Sequence, residues 1–205
     1  MRAMKFILAS NNQKKLLELR AILGALGHEV VSLAQCGVVS EPEETGQTFE
    51  ENALIKARSA CRASGLAAVA DDSGLEVDAL HGAPGVHSAR YCEGTDEDRV
   101  QLLLHNMKNV PEAQRTARFV SAVACVFPDG REIVTRGQCE GVILTQCRGS
   151  GGFGYDPVFY VPAEEMTFAQ LPPERKNAIS HRGKALQAFA RRLGEDLPQN
   201  ARSLL

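Results

Sequence analysis

Three observations predict an α/β domain. Short apolar runs alternate with helical periodicities through the first half of the chain. Two long β runs follow, on either side of a Pro-Asp-Gly turn. The 205 residues are 44% hydrophobic, enough to bury a proper core as a single domain spanning 1–205.

The elements follow in order. Lys5-Phe6-Ile7-Leu8-Ala9 reads as a strand ending in Ser10-Asn11-Asn12, and a helix then sets Leu16, Leu19, Leu23 and Leu26 on one face before Gly27 stops it. Glu29 to Leu33 is a second strand. Thr48-Phe49-Glu50-Glu51 has the form of a capping box and opens an Ala-rich helix carrying Ala53, Ala57 and Ala60 until Gly65. Ala67-Ala68-Val69-Ala70 is a buried strand closed by Asp71-Asp72-Ser73-Gly74, and Leu75 to Leu80 is expected to pair back as another. A helix spans about Asp96 to Met107. The runs Arg118 to Phe127 and Glu132 to Leu144 form an antiparallel ribbon across Pro128-Asp129-Gly130. A glycine-rich loop, Gly149 to Pro157, leads into the strand Val158 to Val161; the last helix runs from near Ser180 through Leu193, and the tail 198–205 is expected to fray.

The formal net charge of −2 lacks the basic balance of a nucleic-acid binder. Six cysteines without close pairing or zinc-ligand spacing read as reduced thiols. With no signal-peptide core and no apolar run of membrane-spanning length, a cytoplasmic protein is expected.

Asp71-Asp72 is the most informative pair. Two ionised carboxylates at the end of a buried strand repel each other and are costly to dehydrate, a problem that Mg²⁺ would resolve. Glu43 or Glu44 in the acidic turn would join Asp72 on the same ion, and Lys56 in the following helix would reach the same edge. Ser10-Asn11-Asn12 with Lys15 places donors and a positive charge at a helix N-terminus, a cradle for phosphate. In the glycine-rich loop, Phe153 offers a face on which a base stacks for about 1–3 kcal/mol. Lys176, His181 and Arg182 put cations just before and within the first turn of the last helix, where they oppose the dipole and call for an anionic or electron-rich ligand.

Together, Ser10-Asn11-Asn12-Gln13-Lys14-Lys15, Glu43-Glu44-Thr45-Gly46, Ala70-Asp71-Asp72-Ser73-Gly74, Gly151-Gly152-Phe153-Gly154-Tyr155-Asp156-Pro157 and Ser180-His181-Arg182 resemble, in order and spacing, the inosine/xanthosine triphosphate pyrophosphatases. The resemblance runs from about Lys5 to Leu193. It implies a homodimeric α/β enzyme with an elongated mixed sheet flanked by helices and a substrate groove between two lobes. That enzyme would use Mg²⁺ to hydrolyse ITP, dITP and XTP to monophosphate and pyrophosphate. It further implies Ser10, Asn11, Asn12, Gln13, Lys14 and Lys15 on the phosphates, Glu43 and Asp72 on the metal, and Asp72 as the base that activates water. Lys56 would assist on the phosphates, and Ser73, Phe153, Gly154, Tyr155, Asp156, Lys176, His181 and Arg182 would line the nucleotide. One departure is Asn11, where many members carry Gly; Asn tolerates left-handed backbone better than most residues. The residues leave two other readings open: a pyrophosphatase for modified pyrimidine nucleotides, and a nucleotide-sensing module that binds without turnover.

Overall fold

The computed structural model describes residues 3–196. The strands are β1 (Lys5–Leu8), β2 (Glu29–Ser32), β3 (Ala67–Val77), β4 (Thr116–Val126), β5 (Glu132–Ile143), β6 (Phe159–Val161) and β7 (Met166–Thr167). The α-helices are α1 (Gln13–Ala25), α2 (Phe49–Ser64), α3 (Asp96–Asn106), α4 (Pro173–Ile179) and α5 (His181–Asp196). The strands form one sheet in the order β2-β1-β3-β4-β5-β6-β7. β1 runs parallel to β2 and β3, whereas β6 is antiparallel to β5 and β7, so the sheet is mixed as expected. The described residues divide into two compact units, one of residues 3–72, 122–136 and 185–196, the other of residues 73–121 and 137–184. The expected fraying of 198–205 lies outside the described residues.

In the first unit, Leu16, Leu19 and Leu23 of α1 bury against Phe6, Leu8, Ala67 and Val69, with Ala185, Leu186, Phe189 and Leu193 of α5 completing the core. Each such leucine contributes about 1.5–3 kcal/mol by leaving water. Gly27 follows α1 at φ 78°, the left-handed conformation that ends a helix cheaply in glycine. The capping box forms as the sequence predicts: Thr48 accepts from the Glu51 N–H while the Glu51 carboxylate reaches back to the Thr48 N–H. Ala53, Ala57 and Ala60 are fully buried, the close packing expected of an alanine face.

The expectation for Asp71 to Leu80 needs correction. Ala67 to Val77 is a single strand of 11 residues, so Asp71-Asp72 lies in its interior and Leu75 does not begin a returning strand. Ser73-Gly74 stays extended because neighbours satisfy it: Ser73 Oγ bonds Ser121 Oγ of β4 at 2.9 Å, and the Leu75 N–H donates to Ser88 Oγ at 2.8 Å.

The second unit buries Leu75, Val77, Val100, Leu103, Phe119, Phe159 and Phe168 in its own core. Arg115, 3% exposed, donates to the carbonyls of Met107, Ile143 and Leu144 at 2.7–2.9 Å. It thereby satisfies a carbonyl at the end of α3 and ties that end to β5. The short helix α4, which opens with Pro172-Pro173, was not expected; it carries Lys176, which therefore stands on a different helix from His181 and Arg182.

Candidate active site

In the first unit the pleat decides where the two aspartates go. Successive side chains on a strand point to opposite faces, so Asp71 and Asp72 cannot share a neighbour easily. Asp71 follows the face of Ala67 and Val69 and meets α1, where Lys15 Nζ lies 2.9 Å from its Oδ1. Asp72 meets α2, where Lys56 Nζ lies 2.9 Å from its Oδ1 and 2.8 Å from Glu44 Oε1. The mutual repulsion expected of the pair is thus relieved by geometry, with one lysine for each carboxylate.

Asn52, one helical turn before Lys56, is fully buried. Its Nδ2 donates to Asp72 Oδ2 at 3.4 Å and its Oδ1 accepts from the Gly46 N–H at 2.8 Å, joining the acidic turn to Asp72. Gly46 must be glycine, since a Cβ there would lie 2.6 Å from Asn52 Oδ1 and 2.7 Å from Glu51 Cβ. Burial, and then Glu44, push the Asp72 carboxyl above its ordinary range, with Lys56 and Asn52 opposing. For Lys56 burial acts downward most strongly, yet Asp72 and Glu44 together hold the ammonium above its ordinary value.

At the head of α1, Asn12 is the N-cap: its Oδ1 accepts from the N–H groups of Lys14 and Lys15 at 2.9 and 3.3 Å, and Ser10 Oγ accepts from the Asn12 N–H at 3.2 Å. Asn11, Gln13 and Lys14 are exposed, as is Glu43, whereas Glu44 turns to Lys56.

The second unit gathers the other expected group. Asp156, 3% exposed, accepts from the Phe153 N–H at 2.8 Å and pairs with Lys176. Lys176 Nζ stands 4.9 Å from the Phe153 ring centre and 5.3 Å from that of Phe168. Gly152 (φ 78°) allows this tight turn, for a Cβ there would strike the Asp156 carboxylate. Phe153 remains 57% exposed, an aromatic face held out to solvent. Tyr155 differs: its ring is buried and its hydroxyl donates to Ser88 O at 2.9 Å, and burial raises its pKa, so it anchors the loop from below. His181 stacks on Phe119, ring centres 4.8 Å apart and planes within 14°, and Arg182 follows it, half-buried, in the first turn of α5.

Sequence reasoning missed Asn52. Its signal was the four-residue spacing to Lys56, which puts both on one helix face. It also missed Asp96 at the start of α3, which accepts from the Gly154 N–H at 2.7 Å.

With this geometry in hand, a model of the Ham1 family matches residues 6–192. A dITP/XTP pyrophosphatase of Symbiobacterium thermophilum is 52% identical over 189 residues, covering 92% of this chain and 94% of that one. One of Pseudomonas aeruginosa is 51% identical, covering 93% and 97%. Among solved structures, a HAM1 protein from Coxiella burnetii superposes with a TM-score of 0.88 at 42% identity, covering 94% of this chain and 99% of that one. The Ham1 protein of Staphylococcus aureus gives 0.88 at 39% identity, with the same coverage.

Proposed function

The chain belongs to the Ham1 family, and from that premise we propose that it hydrolyses dITP, ITP and XTP to the nucleoside monophosphate and pyrophosphate. The observation that carries the reading is the ammonium of Lys56 held between Asp72 and Glu44, in a chain about half identical to dITP/XTP pyrophosphatases. A pure binder of triphosphate needs cations alone; carboxylates kept partly dehydrated beside them suit chemistry on water.

The donor set fits Mg²⁺. Hard carboxylate oxygens are its preferred protein ligands, and Glu44 and Asp72 converge on the single ammonium of Lys56, two acids to one cation. No cluster of three such ligands is preformed among the described residues, which suits an ion that keeps several waters and substrate oxygens. Glu43 and Asp72 would hold the ion in this reading, Glu43 being exposed on the turn whose Glu44 shares Lys56 with Asp72. Bound there, Mg²⁺ would lower the pKa of water and offset charge on the pyrophosphate.

The chain's own residues do the rest. Asp72, its carboxyl raised chiefly by burial, accepts the proton of the attacking water more readily than an exposed carboxylate. Lys15 and Lys56, with Ser10 to Lys14, hold the phosphates and offset the charge on the leaving group. Phe153 stacks on the base, with Ser73, Gly154, Tyr155, Asp156 and Lys176 shaping its surroundings. His181 and Arg182 donate toward a 6-oxo group. Adenine presents a donor there instead and loses roughly 1–3 kcal/mol per unpaired contact. A homodimer in the cytoplasm belongs to the same reading.

The test is turnover of dITP, ITP and XTP against ATP and GTP, with and without Mg²⁺, with pyrophosphate and phosphate detected separately. Pyrophosphate released from the first three, and only with Mg²⁺, is expected. Stepwise phosphate release, or ATP turned over as fast as ITP, would overturn the proposal.

A further inference from the structure

Two successive backbone N–H groups fix the glycine-rich loop at Phe153, and each donates to a different carboxylate. The Phe153 N–H goes to Asp156 within the loop; the Gly154 N–H goes to Asp96 Oδ2 at 2.7 Å, across 58 residues of sequence. The other Asp96 oxygen accepts from Arg99 Nη2 at 2.7 Å, and Arg99 Nη1 donates to Gly94 O at 3.1 Å. Arg99, and then the Gly154 N–H, hold the Asp96 carboxyl below its ordinary range, so the acceptor stays ionised at neutral pH.

Asp96 is surplus to the needs of its own helix. The capping box of α3 is made by Thr95 and Asp98, and Glu97 and Asp98 already put negative charge in the first turn. Phe153, in turn, is held at its ring by one contact, Lys176 Nζ at 4.9 Å from the ring centre, rather than by burial in a core. It is 57% exposed, and Gly152 and Gly154 on either side hold φ of 78° and 58°, conformations that glycine leaves easily. Its aim therefore depends on where its backbone is tied.

We propose that Asp96 is a positioning residue for purine recognition: by tying the Gly154 N–H to the start of α3 it fixes the loop that presents the Phe153 face. The inference rests on the functional reading above, in which Phe153 stacks on the base. Loss of the tether raises the cost of ordering the loop around a base and leaves phosphate binding unchanged.

The experiment compares wild type, Asp96→Ala and Asp96→Asn with ITP and Mg²⁺, using competitive inhibition by inorganic triphosphate as a probe without a base. Asparagine keeps an acceptor oxygen for the Gly154 N–H. Asp96→Ala should raise KM for ITP about three- to tenfold, with kcat and triphosphate inhibition within about twofold of wild type. Asp96→Asn should stay near wild type, and backbone hydrogen exchange at Gly154 should quicken in the alanine variant alone. An unmoved KM in Asp96→Ala, triphosphate inhibition weakened in step with KM, or an asparagine variant as impaired as the alanine one would each overturn this inference. Wild type that releases no pyrophosphate from ITP would overturn the functional reading, and this inference with it.

Discussion

Replacing Lys56 by methionine keeps the length of the side chain and removes the charge shared by Asp72 and Glu44. The side chains of Lys56, Asp72 and Glu44 are 18%, 13% and 27% exposed, between the fully buried and fully solvated cases. Breaking a buried pair by removing one partner costs about 3–5 kcal/mol, and an exposed pair contributes less than about 1, so about 2–3 kcal/mol is expected here at pH 8. In a chain of this size that lowers Tm by about 4–12 °C. The loss depends on pH, and its sign follows from Asp72. With Lys56 gone, burial and Glu44 remain, both raising the carboxyl further above its unfolded value. A carboxyl raised in the folded state binds its proton more tightly there, so the penalty is absent below the unfolded pKa and complete above the folded one. The Tm deficit should therefore be large at pH 8 and shrink toward pH 5, and the acid limb of kcat/KM for ITP should move to higher pH. Thermal unfolding at both pH values and a pyrophosphate-release profile measure the two effects. A deficit that is constant with pH, or larger at pH 5, would refute the coupling of Lys56 to Asp72.

Asp72→Asn should cut ITP turnover by about 10²–10⁴ while ITP binding, measured by titration, stays within about tenfold; unchanged turnover removes Asp72 as the base. Lys15→Ala should raise KM for ITP and also lower Tm, because it removes the ammonium that lies 2.9 Å from Asp71, 8% exposed. Adding Asp71→Asn should restore Tm and leave KM raised; recovery of both would deny Lys15 a role in phosphate binding. His28, buried with its Nδ1 accepting from the Met4 N–H at 3.3 Å, has its pKa lowered by burial. Stability from that histidine is present above its unfolded pKa and lost as pH falls through the folded value, so His28→Gln should flatten the decline in Tm between pH 7 and 5.

Much of this is legible in the sequence. The leucines of α1, the Thr48–Glu51 box, the alanine face of α2 and the Pro128-Asp129-Gly130 turn are local signals, decided within a few residues, and they fold as read. Lys56 beside Asp72, and Asp156 beside Lys176, came together from separate motifs. The continuity of β3 was hidden because Asp-Asp-Ser-Gly is turn chemistry in isolation; its pairing with β4 and the bonds from Ser121 and Ser88, 48 and 13 residues away, keep it extended. Asn52 and Asp96 were hidden for a similar reason. An asparagine in the first turn of a helix, or an aspartate at its start, looks like a solvated polar residue until the N–H group it accepts from is known. Helix α4 has seven residues and none of them buried, so it carries no apolar period to read.

Because Asp71 and Asp72 belong to opposite faces of one strand, their roles are assigned by parity. Deleting a single residue between Ala67 and Asp71 would slide the chain by one register step and exchange the helices the two carboxylates meet, even though both acids and both lysines survived in the composition. A substitution in this buried stretch keeps the facing, whatever it costs in packing, where an insertion or deletion of one does not, and a length change of two would restore the facing while moving the carboxylate by two residues along the strand.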